Sequence, residues 1–191
     1  MFYNTSKKII LASASPRRRQ FLEELNLEFE SRVREIDESY PENLKGKDIA
    51  LHISENKAAA FDDLGDDEVL ICSDTVVWCD GKALGKPNDK AHAAEMLEFL
   101  SGKTHEVITA FTIKSKEKTI SDYSTTRVKF KNLEPEEIDY YIDNYKPFDK
   151  AGSYGIQEWI GLIGIEKIEG SYFNVVGLPT DKLYNTLKKF L

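Results

Sequence analysis

The run Val69-Leu70-Ile71-Cys72-Ser73-Asp74-Thr75-Val76-Val77-Trp78-Cys79 constrains this chain more than any other stretch. It is apolar almost throughout and reads as the strongest strand in the sequence. Asp80-Gly81 directly after it is a hairpin-turn signal, and the return arm runs past Leu84 to Gly85-Lys86-Pro87. The anomaly is Asp74, a carboxylate in the middle of the run. An unpaired buried carboxylate is costly, so it requires a cation, hydrogen-bond donors or a metal. A structural acid met by a nearby lysine or by backbone N–H groups satisfies that requirement. A general base or a metal ligand satisfies it equally.

The second constraint lies at Lys7-Lys8-Ile9-Ile10-Leu11-Ala12-Ser13-Ala14-Ser15-Pro16-Arg17-Arg18-Arg19-Gln20-Phe21-Leu22. The short apolar run reads as a buried strand, and Phe21, Leu22 and Leu25 are spaced for one helical face. Ser15 suits the N-cap and Pro16 the first helical position. Three arginines therefore fall in the first turns of a helix. Cations at that end are disfavoured by roughly 0.3–1 kcal/mol each. Backbone N–H groups and the Ser13 and Ser15 hydroxyls crowd the same place. An anion relieves the conflict, and a phosphate chain suits it best; solvated surface arginines are the alternative. On the anion reading, Arg17 and Arg18 are expected to serve binding and not the fold.

The chain has 191 residues and a net charge of −7, with 41% hydrophobic and 31% charged residues. That is enough apolar mass for a core. An acidic chain argues against a nucleic-acid surface, so the arginine cluster suits a small polyanion better than a polymer. Cys72 and Cys79 form no Cys-x-x-Cys pattern, which fits a reducing compartment. No apolar run reaches membrane-spanning length, and the apolar segment near residue 10 is too short for a signal peptide. The expectation is a cytoplasmic protein with no membrane or nucleic-acid partner.

Further along, Leu27 to Val33 reads as a second strand. A helix is expected from about Asp48 to Leu64, with Ile49, Ile53, Lys57 and Phe61 on one stripe. A lysine there either snorkels outward or reaches inward. The carboxylate-dense run Asp62 to Glu68 reads as a solvated loop. A helix is expected over Asp89–Leu100 with Asn88 as cap, then a meander of antiparallel strands with Val107, Thr109, Phe111 and Ile113 alternating, as do Thr126, Val128 and Phe130. Pro135 opens a helix with Ile138, Tyr141, Ile142 and Tyr145 inward. Six of the eleven glycines fall between Gly152 and Gly177, which reads as tight turns and strands. A last helix begins near Thr180. No boundary between independent domains can be drawn, so residues 1–191 are taken as one domain.

Glu38 is a second candidate acid, and Lys57 and Lys86 are candidate cations opposite the arginines. His52, His92 and His105 are scattered and read as structural. Walker, Gly-x-Gly-x-x-Gly and Gly-x-Ser-x-Gly patterns are absent. What remains is an anion site plus carboxylates, the equipment of metal-assisted phosphoanhydride hydrolysis.

These residues resemble the Maf family. The similarity rests on Leu11 to Arg18, Lys57-Ala58, Ser73 to Val77, Gly85-Lys86-Pro87, Leu100 to Val107, Asp149 to Gln157 and Gly170 to Pro179, in order along nearly the whole chain. The resemblance implies a nucleoside triphosphate pyrophosphatase that cleaves between the α and β phosphates with Mg²⁺ or Mn²⁺. It implies an elongated two-lobed α/β fold, similar to the inosine-triphosphatase group, around a central cleft. It also implies a link to arrest of cell division and to removal of non-canonical nucleotides. By the same resemblance Asp74 is the proton acceptor, Lys57, Lys86 and Glu38 are catalytic, and Asp74 and Glu38 are the metal ligands. Ser13, Arg17 and Arg18 hold the triphosphate, and Arg17, Thr75 and Gln157 mark the branch acting on dTTP and UTP. A glutamine amide suits uracil and thymine, whose N3–H and O4 stand side by side. Binding without turnover, and hydrolysis of modified purine nucleotides, are the rival readings. Whether the chain works alone or as a homodimer is left open.

Overall fold

A computed structural model describes residues 6–191. The elements in chain order are β1 (Lys8–Leu11), α1 (Pro16–Glu24), β2 (Phe29–Ser31), α2 (Lys47–Ala59), β3 (Glu68–Cys79), β4 (Lys82–Leu84) and α3 (Lys90–Leu100). After these come β5 (Thr104–Lys114), β6 (Thr119–Phe130), α4 (Pro135–Tyr145), a 3₁₀ turn (Ala151–Ser153), α5 (Trp159–Gly164), β7 (Ile165–Glu169), α6 (Tyr172–Val176) and α7 (Thr180–Leu187). The architecture is α/β: the strands form a seven-stranded sheet in the order β2-β1-β3-β5-β6-β7, with β4 paired to β3. The chain divides into two compact units. The first holds the chain up to Asp74, Thr109–Ser124 and Gly177–Leu191; the second holds Thr75–Ile108 and Thr125–Val176.

In the first unit β1 pairs in parallel with both β2 and β3, with Ile9 opposite Phe29 and Val69. Parallel neighbours need a crossover, which α1 and α2 supply. Strands covered on both faces read as continuous apolar runs, and Ile10, Leu11, Leu70 and Ile71 are all 0% exposed. Ile10, Ala58, Phe61, Leu64, Leu70 and Cys72 pack into one cluster. α2 ends at Ala59, short of the expected Leu64. Around and just beyond that end the backbone carbonyls are taken by side chains instead of by a further helical turn. Lys114 Nζ donates to Ala58 O at 3.0 Å and Phe61 O at 2.7 Å, and Arg34 Nη1 donates to Ala60 O at 2.5 Å. Phe61 stays in the core without being helical. The acidic run after it is a solvated loop as expected, with the Asp62, Asp63 and Asp66 side chains 90%, 60% and 87% exposed, and Asp63 and Glu68 pair with Arg34 and Arg32 at 2.6 and 2.8 Å. The second strand is also shorter than expected, only Phe29–Ser31.

Ser15 caps α1 as expected, its hydroxyl accepting from Arg18 N at 3.5 Å, with Pro16 at the first position. Arg18 departs from expectation. Its Nε donates to Gly177 O at 2.9 Å and its Nη1 to Ser73 O at 2.7 Å, with Ser13 Oγ at 3.4 Å. The guanidinium thus ties α1 to β3 and to the segment before α7. Helix-end electrostatics alone missed this, because both carbonyls come from distant parts of the chain.

In the second unit, β3 turns into β4 through Asp80 and Gly81, at φ 48° and 79°, with Val77 opposite Leu84. Those angles suit a type I′ hairpin. α3 is capped by Asp89, which accepts from His92 N at 2.8 Å; the expected Asn88 is not the cap. Its inward face is Ala93, Met96, Leu97 and Leu100, as expected. β5 and β6, whose near ends Thr109–Ser124 belong to the first unit, are neighbours joined there by a four-residue turn closed by Ser115 N to Lys118 O at 2.8 Å, a connection too short for parallel strands. Thr126, Val128 and Phe130 are buried in alternation, but β5 is buried nearly throughout. α4 carries a capping box between Glu134 and Glu137. Its Tyr145 is 38% exposed and stacks on Tyr141. The glycine-dense segment holds one strand, with short helical pieces where further strands were expected. Its backbone does approach closely: a Cβ on Gly161 would stand 1.8 Å from Ile156 O.

Two predictions follow from these contacts. Arg18→Ala strands the Ser73 and Gly177 carbonyls, and should cost about 2–4 kcal/mol, lowering the apo melting temperature by roughly 5–15 °C. Arg18→Lys should recover only part of the loss, since an ammonium lacks the guanidinium fork. An unchanged melt for Arg18→Ala would return the residue to a purely binding role.

The second concerns His105, 1% exposed, hydrogen-bonded through Nε2 to Tyr154 Oη at 2.7 Å. Burial pushes its titration down to about 4 from the ordinary 6.5. Between those values the unfolded chain binds the proton and the folded chain does not. Stability is therefore fully present above pH 6.5 and falls as pH drops towards 4, by up to roughly 1.4 kcal/mol per unit. Thermal melts from pH 7.5 to 4.5 should show this slope, and His105→Gln should flatten it. The Arg32-bonded Glu68 does not interfere, because its titration is held at about 2 and its contribution is lost only at lower pH.

Candidate active site

Asp74 ends the part of β3 that belongs to the first unit. The backbone before it is held twice: Arg18 grips Ser73 O, and the Ser73 hydroxyl donates to Ala110 O on β5 at 2.8 Å. The cation that Asp74 requires is Lys57, whose Nζ lies 2.8 Å from its Oδ1. The same ammonium lies 2.7 Å from Glu38 Oε1. Lys57 thus reaches inward from the apolar stripe of α2 and binds both candidate acids at once. Lys57 and Asp74 side chains are 17% and 14% exposed, whereas Glu38 is 49% exposed. Glu38 sits on an irregular segment that Arg32 and Arg34 fasten through their pairs with Glu68 and Asp63.

The start of α1 borders this cluster. Ser13 is 6% exposed, and its Oγ accepts from Ser15 N at 3.2 Å. Burial lowers the Arg18 titration, Asp74 opposes that shift, and the neighbouring Arg17 adds to it. So the structure gathers Ser13, Arg17, Arg18, Glu38, Lys57 and Asp74 in one unit: a half-buried positive helix end beside two carboxylates that share an ammonium. Such a place favours a polyanion and can hold a proton acceptor close to it.

The remaining sequence candidates belong to the second unit. Thr75 follows Asp74 in β3 and is half-buried. Lys86 is exposed just beyond β4, where Gly85 O is anchored by Gly152 N at 3.0 Å. Gln157 is exposed on the loop before α5. Sequence reasoning missed the part played by Ser73 and by the Gly177 carbonyl. A hydroxyl at a fully buried strand position was the available signal for Ser73.

Among the described residues no cluster of three or more His, Cys, Asp or Glu side chains suits a metal. Asp74 and Glu38 offer hard carboxylate oxygens, the donor type that Mg²⁺ and Mn²⁺ take. Two such donors fit an ion whose other ligands come from a triphosphate and water. No helix among the described residues is long and apolar enough to cross a membrane.

The chain was compared with known proteins. It is 56% identical over 184 residues to the dTTP/UTP pyrophosphatase of Flavobacterium psychrophilum, covering 96% of this chain and 93% of the relative. Proteins of the same name from Christiangramia forsetii and Parabacteroides distasonis are 54% and 50% identical, the former over 96% of this chain and 94% of its own length, the latter over the full length of both. Among solved structures, the Ham1 protein of Staphylococcus aureus aligns with a TM-score of 0.44 at 16% identity, covering 94% of this chain and 100% of its own. Residues 8–190 match the family described as Maf-like protein, and the chain belongs to that family.

Proposed function

We propose that this protein is a nucleoside triphosphate pyrophosphatase that hydrolyses dTTP and UTP to the monophosphate and pyrophosphate. The observation that carries the reading is the shared ammonium: Lys57 bridging Asp74 and Glu38 beside the positive start of α1. Relatives of this length and identity carrying the name dTTP/UTP pyrophosphatase support it. The working unit is the single Maf domain, and the setting is the cytoplasm.

In this reading the N-terminus of α1, Ser13 and Arg17 receive the phosphate chain. Ser13 Oγ accepts from Ser15 N and Arg18 Nη1, which leaves its own O–H to donate to a phosphate oxygen. Arg18 adds positive field while holding Ser73 in place. Asp74 takes the proton of the attacking water, and Lys57 sets the orientation of that carboxylate. The family resemblance gives Lys57 and Lys86 the further duty of offsetting negative charge as the anhydride breaks. A divalent cation held by Asp74 and Glu38 would supply charge neutralisation of the triphosphate. The family resemblance assigns base recognition to Gln157 and Thr75, and a glutamine amide can match N3–H and O4 of uracil or thymine.

The test is pyrophosphate and monophosphate release from dTTP, UTP, CTP, GTP and ATP with Mg²⁺ and with Mn²⁺. dTTP and UTP should be cleaved fastest, with pyrophosphate and not orthophosphate as product. Asp74→Asn should bind UTP nearly as well and lose turnover by about 10²–10⁴-fold. Near-normal turnover in that variant removes Asp74 from proton transfer. Tight binding without turnover in the wild type would favour a nucleotide sensor instead.

A further inference from the structure

Gln157 is exposed, yet both of its neighbours are held. Ile156 is in the core at 6% exposure, and the Glu158 side chain is 20% exposed. Residues 155–158 make a β-turn closed by Glu158 N to Gly155 O at 3.0 Å, with Gln157 in its third position. One hydroxyl ties the two ends of that turn. Tyr141, fully buried on α4, accepts from Gly155 N at 3.0 Å and donates to Glu158 Oε2. The other carboxylate oxygen, Glu158 Oε1, pairs with Lys150 Nζ at 3.0 Å. Lys150 is itself 8% exposed and pairs also with Asp149 at 2.8 Å. Gly155 leaves room for this: a Cβ there would stand 2.8 Å from Glu158 Cδ and 3.0 Å from Lys150 Cε. Burial, and then the bond to Glu158, push the Tyr141 titration up, so the hydroxyl keeps the proton it donates.

A backbone hydrogen bond alone closes a β-turn. Adding a phenol, a carboxylate and a buried ammonium costs desolvation that an apolar contact would avoid. The surplus buys orientation. Uracil and thymine demand an acceptor opposite N3–H and a donor opposite O4. Cytosine demands the reverse, which a glutamine supplies simply by flipping its amide. The turn does not set the sense of the amide, but it fixes where the Gln157 side chain starts and so whether its amide reaches the edge of the base at all.

We propose that Tyr141, Glu158 and Lys150 are positioning residues that fix the Gly155–Glu158 turn, so that Gln157 is held at the one place from which it reads the base, and that loosening the turn loses that reading as removal of the Gln157 side chain does. This rests on the reading that Gln157 faces the base. Tyr141→Phe deletes only the hydroxyl. It should speed amide hydrogen exchange at Gly155 and Glu158 and lower the UTP-to-CTP ratio of kcat/KM about tenfold, towards the ratio of Gln157→Ala. KM for UTP should rise more than kcat falls. Glu158→Gln, which keeps an acceptor for Tyr141, should retain most of the ratio that Glu158→Ala loses. If Tyr141→Phe and Glu158→Ala slow both substrates equally, or leave ratio and exchange unchanged while Gln157→Ala alters the ratio, the network is structural and the proposal fails. If Gln157→Ala leaves the ratio unchanged, base reading by Gln157 fails and takes the proposal with it.

Discussion

One ammonium answers for two carboxylates. Lys57 lies within 2.8 Å of both Asp74 and Glu38, and Asp74 stands in the middle of a largely apolar strand. Neither member of the Lys57–Asp74 pair could be set at this depth alone, because each charge would lose its water without compensation. The pair therefore fixes where α2 meets β3. It also brings the irregular segment bearing Glu38 to the same point. The crossovers of the first unit, the early end of α2 and the Arg32 and Arg34 anchors all serve that meeting.

The positive start of α1 completes the arrangement from the other side. An arginine in a first helical turn is unfavourable unless something negative faces it. Arg18 is accommodated by carbonyl oxygens of Ser73 and Gly177. The same bonds lock the backbone that presents Asp74. A structural tie thus coincides in one side chain with the proposed anion contact, so its loss is expected to reach the fold as well as binding.

Much of this was legible in the sequence, and the failures have physical causes. The strand at β3, the Ser15-Pro16 cap and the Asp80-Gly81 turn are local signals, and local signals survive folding. Asp74 demanded a cation and Lys57 demanded a reason to sit on an apolar stripe; each was the other's answer, but spacing cannot pair a helix residue with a strand residue. The tie that Arg18 makes between α1, β3 and the segment before α7 was not legible because its acceptors lie 55 and 159 positions away. Tyr141 read as plain core because its hydroxyl's partners, Gly155 and Glu158, come from a separate loop. The end of α2 was set too late because Lys114, which takes the carbonyls of Ala58 and Phe61, belongs to β5.

The central claim is that Lys57 and Asp74 act as a unit in catalysis. A double-mutant cycle on kcat/KM for UTP, using Lys57→Met, Asp74→Asn and the two together, measures that directly. The double variant should be no worse than the poorer single variant, within about threefold, because either change already dismantles the pair. Losses that multiply would contradict the account and make the two residues independent contributors.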